Sequence, residues 1–571
     1  MIRDVKAPDD LFTNKNYYHH VVEYQGNIQE ELSKQPGYYV TIINYKYAIV
    51  STMGETALNA KEPYFSSIVY VNPQQPFTLQ QISPIDASGA EFLQLDLPLH
   101  LTGIGVNVGI IDTGIDYLSE EFMKPNGETR IKAIWDQTIQ SVLKTGNDIV
   151  PYGTIYMQDE INNAIKAKKS GKSPYEIVAS KDEIGHGTSM AGIIGATGKN
   201  PDLVGVCPEC DFVVVKLAED ITYRNLYNSK VPIFNIAILF TAVQFLYEYY
   251  LTNNEPMVIY YPLGTNMGNH KGIGSGKEYV EEISSNSGLV MVTGTGNQGA
   301  SGTHASGLVS QVGETSDIEL YISPEQKNIF AEIWIGAPNI MSLEVISPSG
   351  ENSGIINALL NVGSGYTYLF EKTSMTITYS LPEERSGDEL ISIRFSDLQQ
   401  GIWKFRLTGE LILDGNFNMW IPQEGITVGD TRFVLSDPYG TFMDPSDSEY
   451  LISVAAYNQN NNNIVAYSGR SFLSNTTIID VAAGGVNALA VAPDNKTTVA
   501  NGTSVAAAIV AGACVMLLQW GIVEGNDPNI YSETVRTYLQ RGTVRRSGDN
   551  YPNAEWGYGM LNILLMFQNI I

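Results

Sequence analysis

Val106-Asn107-Val108-Gly109-Ile110-Ile111 is the stretch that decides the fold. It is short, nearly all apolar and shows no alternation of wet and dry positions. Such a run suits a strand buried on both faces, as in a parallel sheet covered by helices. It leads directly into Asp112-Thr113-Gly114-Ile115-Asp116, which puts an acid at the carboxyl end of the strand, where open α/β sheets place their sites. Taken alone, Asp112 reads equally well as a turn residue that closes a strand.

Outward from this stretch the pattern repeats. Similar apolar runs stand at 212–216, 257–261 and 289–292, and they resume at 450–457 and 478–481. A long helical pattern occupies 233–250, with Pro232 where a first turn tolerates proline. Strand alternating with helix predicts an α/β fold with a doubly wound, mostly parallel sheet. Residues 122–182 are polar and loop-like, and the lysine-rich 166–169 reads as a solvated helix or loop.

Two regions break the pattern. Residues 1–81 read as a small α+β unit, with strands at 39–43, 45–50 and 67–71 and a short helix at 28–33. This unit ends in the breaker cluster Asn72-Pro73-Gln74-Gln75-Pro76. It reads as a first domain or as a folding chaperone and inhibitor that is cut off. From 308 to 444 short alternating strands separated by Pro/Gly turns replace the helices, which predicts an inserted all-β sandwich or jelly roll. Its Trp334, Trp403 and Trp420 read as core rather than as a carbohydrate platform. The α/β domain is thus expected over 82–307 and 445–571.

Composition narrows the functions. With 571 residues, 43% of them hydrophobic, the chain can build several cores. A formal net charge of −27 argues against nucleic acid or an anionic membrane as partner, since both select basic surfaces. Cys207-Pro208-Glu209-Cys210 has redox or half-zinc spacing, but it has no second pair and no suitably spaced histidine, so neither a metal nor any other cofactor is expected. Met1 to Lys6 lack the apolar core of a secretory signal, so synthesis in the cytoplasm is expected. The apolar run 505–518 is too short for a membrane span.

Two further stretches carry chemistry. His186 stands between Gly185 and Gly187 at the head of a small-residue helical run. Ser504 follows Asn501-Gly502-Thr503 and precedes an alanine-rich helix, at whose start free N–H groups and the positive dipole end favour a developing negative charge. A lone histidine is usually structural, and a serine before alanines usually just starts a helix. Together with Asp112 they supply a nucleophile, a general base and a carboxylate that orients the base. Asn297, in the glycine-rich turn after 289–292, adds a side-chain N–H donor for an oxyanion, with the Ser504 N–H as the second.

The chain order Asp112, His186, Ser504 is that of subtilisin. The sequence resembles the subtilisin-like serine proteases in DTGID at 112–116, GHGTSMAG at 185–192, GTGNQG at 294–299 and NGTSVAAA at 501–508. The resemblance implies a serine endopeptidase acting on protein, with Leu263-Gly264 as a substrate-binding edge strand. Within the family the chain is most similar to the clostridial Csp proteases of spore germination. The points of likeness are the short N-terminal unit, the jelly-roll insertion before the serine, and Phe122, Asn126-Gly127, Thr129-Arg130-Ile131 and Trp135-Asp136-Gln137.

That closer resemblance implies a prodomain cut once by the enzyme and retained in the cleft, a monomer after processing, packaging in the spore, and a cortex-hydrolase proform as substrate. Self-cleavage is expected after Gln80 or Gln81, just beyond the proline-rich breaker, and uncharged Gln298 is expected to border the pocket for that residue. A catalytically quiet scaffold and a general intracellular subtilase are the alternatives.

Overall fold

The computed structural model describes residues 2–3, 6–8, 11, 16–53, 65–71, 83–94, 99–139, 150, 152–358 and 363–570. The chain forms two compact units, 1–81 and 82–571. In the first, the helix Ile28–Leu32 accompanies a five-stranded antiparallel sheet. Asn27 caps the helix by accepting the Glu30 N–H, and Ile28 and Leu32 pack with Val22, Val40 and Val50. Tyr17–Tyr24, not expected as a strand, pairs with both Tyr47–Met53 and Ile68–Val71. Its tyrosines and histidines mask the alternation in the sequence.

The second unit is built on an eleven-stranded sheet. Asn107–Asp112 lies between Met257–Tyr260 and Asp211–Lys216 and is parallel to both. Leu289–Gly294, Leu451–Asn458 and Val481–Gly484 extend the parallel order on one side and Ile131–Asp136 on the other. Antiparallel pairs close the two ends. Both faces are buried, as the unbroken apolar runs require. Val108, Ile110, Val214, Val258 and Val290 face one core, which holds the helices His186–Gly195 and Thr503–Leu518. Their alternates Ile111, Val213, Val215, Ile259 and Met291 face the other core, under the helices Ile236–Asn253 and Ser275–Ser284.

Three details differ from the sequence reading. Ile131–Asp136 is a buried strand within the stretch read as loop. Lys132 hides it, but its ammonium reaches Glu255 at 2.8 Å and Asp211 at 3.4 Å at the sheet margin. The long helix starts at Ile236, beyond Pro232, because the Asn235 side chain caps it by accepting the Ala237 N–H. The helical run Thr503–Val523 is long and apolar enough to cross a bilayer, but 89% of that window is buried inside the fold, which makes it a core helix.

Between the adjacent sheet strands Leu289–Gly294 and Leu451–Asn458 the chain leaves to form a β sandwich. Its antiparallel sheets of six and four strands pack through Ile333, Ile391 and Ile393 on one side and Leu343, Trp403 and Phe405 on the other. The first strand is His304–Leu308, so the sandwich begins slightly before the expected 308. Trp334, Trp403 and Trp420 are all buried.

Candidate active site

Asp112 ends its strand buried, and His186 opens its helix half-exposed. The imidazole Nδ1–H donates to the Asp112 carboxylate at 2.8 and 2.9 Å. This fixes the tautomer and leaves Nε2 as the free, basic nitrogen. Burial alone would push His186 down, but the Asp112 charge, its hydrogen bond and the more distant Asp182 outweigh it, so the pKa lies above the ordinary imidazole value. A side chain on Gly187 would run into the Gly114 carbonyl oxygen and lie 3.1 Å from Asp112 Cβ, so only glycine lets the helix head come this close to the strand end.

Asp182 organises the loops around this pair. Its carboxylate accepts the Thr113 hydroxyl at 2.8 Å, the Gly185 N–H at 2.8 Å, and the Thr188 N–H and hydroxyl at 2.9 and 2.6 Å. The sequence reading left Asp182 in a featureless loop. Its only signal was a position just ahead of the Gly185-His186-Gly187 turn.

Ser504 lies in the first turn of Thr503–Leu518, which packs against the helix that His186 heads. The Tyr260 hydroxyl donates to the Ser504 carbonyl at 2.8 Å and anchors that turn to the strand beside Asp112. Asn297 reaches the same turn. Its Oδ1 accepts the Thr503 N–H at 3.0 Å and the Thr503 hydroxyl at 3.2 Å, so its Nδ2 is left as the outward donor. The structure therefore brings Asp112, His186, Ser504 and Asn297 to the carboxyl edge of one sheet. A nucleophile at a helix N-terminus, an oriented base and a fixed amide donor are what acyl transfer requires.

Leu263 and Gly264 continue the strand Met257–Tyr260 beyond its pairing. The next residue, Thr265, exchanges both backbone hydrogen bonds with Asp444, at 3.0 and 2.9 Å. By strand alternation the Gly264 backbone groups point the opposite way. There the Gly264 carbonyl accepts the Gln423 side-chain N–H at 3.2 Å, from a turn of the β sandwich. Gln298 is buried, and its side-chain Oε1 accepts the Glu424 N–H of the same turn at 3.0 Å. An apolar cavity of about 390 Å3 lies beside Leu263, lined by Phe234, Leu239, Phe240 and Val280 and, from the sandwich, Phe330 and Ile426. Gln80 and Gln81 lie outside the described residues.

Cys207, Cys210 and Cys514 are free and buried. Burial pushes all three thiols up, Cys210 to about 12, so they stay protonated and unreactive. Among the described residues no group of three or more His, Cys, Asp and Glu could hold a metal ion.

The subtilase family model matches residues 103–330 and 436–559. The chain belongs to that family and is a subtilisin-like serine endopeptidase. No curated protein is similar enough to match it. Among solved structures, the CspB protease of Clostridium perfringens matches at a TM-score of 0.75 and 29% identity, over 84% of this chain and 96% of that one. Sphericase matches at a TM-score of 0.42 and 14% identity, over 85% and 98%. The gap between the two family-model blocks falls within the β sandwich.

Proposed function

We propose that Ser504 is the nucleophile of this peptidase, His186 its general base and Asp112 the carboxylate that holds His186. The Ser504 hydroxyl gives its proton to His186 Nε2 as its oxygen attacks the peptide carbonyl. The oxyanion that forms takes hydrogen bonds from Asn297 Nδ2 and the Ser504 N–H. The imidazolium, steadied by Asp112, then protonates the departing amine, and water repeats the sequence on the acyl-enzyme. The bifurcated contact of His186 with Asp112, at the head of a helix packed beside the Ser504 helix, is the observation that carries this reading.

The enzyme's first substrate is itself. Residues 1–81 form a compact unit of their own, and the single self-cleavage falls after Gln80 or Gln81. The cut unit stays in the cleft as an inhibitor, and one processed copy is the working form. The protein is packaged in the spore and activates the proform of a cortex-lytic hydrolase at germination. The likeness to the Clostridium perfringens CspB protease supports this narrower reading. Intact-mass measurement tests the processing. The wild type should give two fragments, and Ser504→Ala one uncut chain. A single intact species from both would overturn it.

A further inference from the structure

The helix Thr503–Leu518 starts without a side-chain cap. Gly502, at its N-cap position, has none to offer, and the bond from the Ala506 N–H to the Gly502 carbonyl is long at 3.4 Å. The turn that carries Ser504 is held from outside instead, residue by residue. The Gly502 N–H donates to the Gly485 carbonyl at 3.0 Å. Thr503 gives its N–H and hydroxyl to Asn297. Its carbonyl oxygen lies against Gly294, where a Cβ would come within 2.8 Å of it. At Ser504 the tie is the Tyr260 hydroxyl, which donates to its carbonyl at 2.8 Å.

The direction of a side chain depends on the two peptides that flank it. The peptide before Ser504 is fixed where the Thr503 carbonyl rests on Gly294. The peptide after it carries the Ser504 carbonyl. In a helix that oxygen serves the N–H four residues on, which leaves a second lone pair, and the Tyr260 phenol takes it. Tyr260 is a rigid donor. It is fully buried in the core that holds the Ser504 helix, and its backbone is in register with Ile110 on one side and Val292 on the other. Ile110 stands two residues before Asp112, so a single strand pair links the nucleophile's peptide to the carboxylate that holds the base. Burial and the Asp112 charge push the phenol well above its usual range, so it stays protonated and keeps donating.

We infer that Tyr260 is a positioning residue for the nucleophile: by holding the Ser504 carbonyl it sets the rotation about the Ser504 Cα–C bond, and so the line along which Oγ meets His186 Nε2 and the attacked carbonyl. This inference rests on the peptidase reading. Tyr260 lies beneath the turn, buried and out of a substrate's reach. Its loss should therefore slow the chemical step and leave substrate binding alone. A reacting group displaced by ~1 Å costs ~10²-fold in rate. The helix bond to the same carbonyl survives the loss, so the expected effect is smaller, at least ~10-fold.

The test compares full-length wild type, Tyr260→Phe and Tyr368→Phe. Phenylalanine keeps the ring and its packing and removes only the hydroxyl. Tyr368 is the control: it is equally buried, and its phenol donates to the Val345 carbonyl at 2.9 Å, but in the β sandwich. Three quantities are measured, with rates taken well below each melting temperature: the first-order rate of self-cleavage in freshly made chain, kcat and KM on a short peptide amide, and the melting temperature. Tyr260→Phe should lose at least ~10-fold in self-cleavage rate and in kcat, with KM within about twofold of wild type. Tyr368→Phe should lose a similar amount of melting temperature and keep both rates. A Tyr260→Phe enzyme with wild-type rates, whatever its melting temperature, would make Tyr260 merely structural and overturn the inference. So would a loss confined to KM, or an equal loss of rate in the control. A wild type that neither cuts itself nor turns over the peptide would overturn the peptidase reading, and this inference with it.

Discussion

Replacing Asn297 separates its catalytic part from its structural one. The side chain has two jobs at opposite ends. Oδ1 accepts the Thr503 N–H and hydroxyl at 3.0 and 3.2 Å, and Nδ2 is the donor that the proposed mechanism gives to the oxyanion. Asn297→Ala removes both ends. Thr503 is 2% exposed, so its N–H is left without an acceptor, at a cost of ~1–3 kcal/mol in stability. Asn297→Asp keeps the acceptor for Thr503 and replaces the donor with a negative oxygen. Removal of one oxyanion donor in a subtilisin costs ~10²–10³ in kcat, or ~2.7–4 kcal/mol. Because the bond is to charge that develops only in the transition state, the loss belongs in kcat and not in KM. Both variants should lose at least ~10² in kcat on a short peptide amide, whereas only Asn297→Ala should unfold at a markedly lower temperature. Steady-state kinetics and thermal unfolding of the three proteins decide it. An Asn297→Asp enzyme within tenfold of wild-type kcat, or a loss confined to KM, would refute the reasoning.

Two further outcomes follow from titrating groups. His186 must be neutral to act as base, and its pKa is raised above the usual 6.5. The kcat/KM profile should therefore rise through a midpoint above 6.5, and Asp112→Asn should lower that midpoint; a wild-type midpoint at or below 6.5 contradicts the account. In the β sandwich, burial lifts Glu389 to about 8, against the opposing Met341 N–H that its carboxyl accepts at 2.8 Å. An acid with a raised folded pKa contributes stability that is fully present below its ordinary pKa and is lost as pH rises through the folded value. Melting temperature should thus fall between pH 6 and pH 9 by more in the wild type than in Glu389→Gln, which keeps the acceptor for Met341. Equal falls would show that Glu389 is not the group involved.

The fold class was legible because burial on both faces of a parallel sheet leaves an unbroken apolar run, and Val106 to Ile111, 257–261 and 289–292 are such runs. Ile131–Asp136 escaped notice because Lys132 interrupts its pattern, and nothing local says that Glu255 and Asp211 wait at the sheet margin. The helix boundary at Ile236 was missed for a similar reason. Proline and asparagine both mark helix starts, and tertiary placement chose Asn235.

The sequence by itself determined which residue types could do acyl transfer and in what order they come. Glycines around His186 and before Ser504 are local demands of close packing and tight turns, and they stand in the chain as motifs. The tertiary structure alone decided what surrounds them. Asp182 ties the turn after Asp112 to the head of the His186 helix by hydrogen bonds from residues on both sides of it. Tyr260, at the end of one strand, and Asn297, in the turn beyond its neighbour, hold the Ser504 turn from two sides. Chemistry is written in residue types and short spacings. The geometry that lets it act exists only once distant segments have packed.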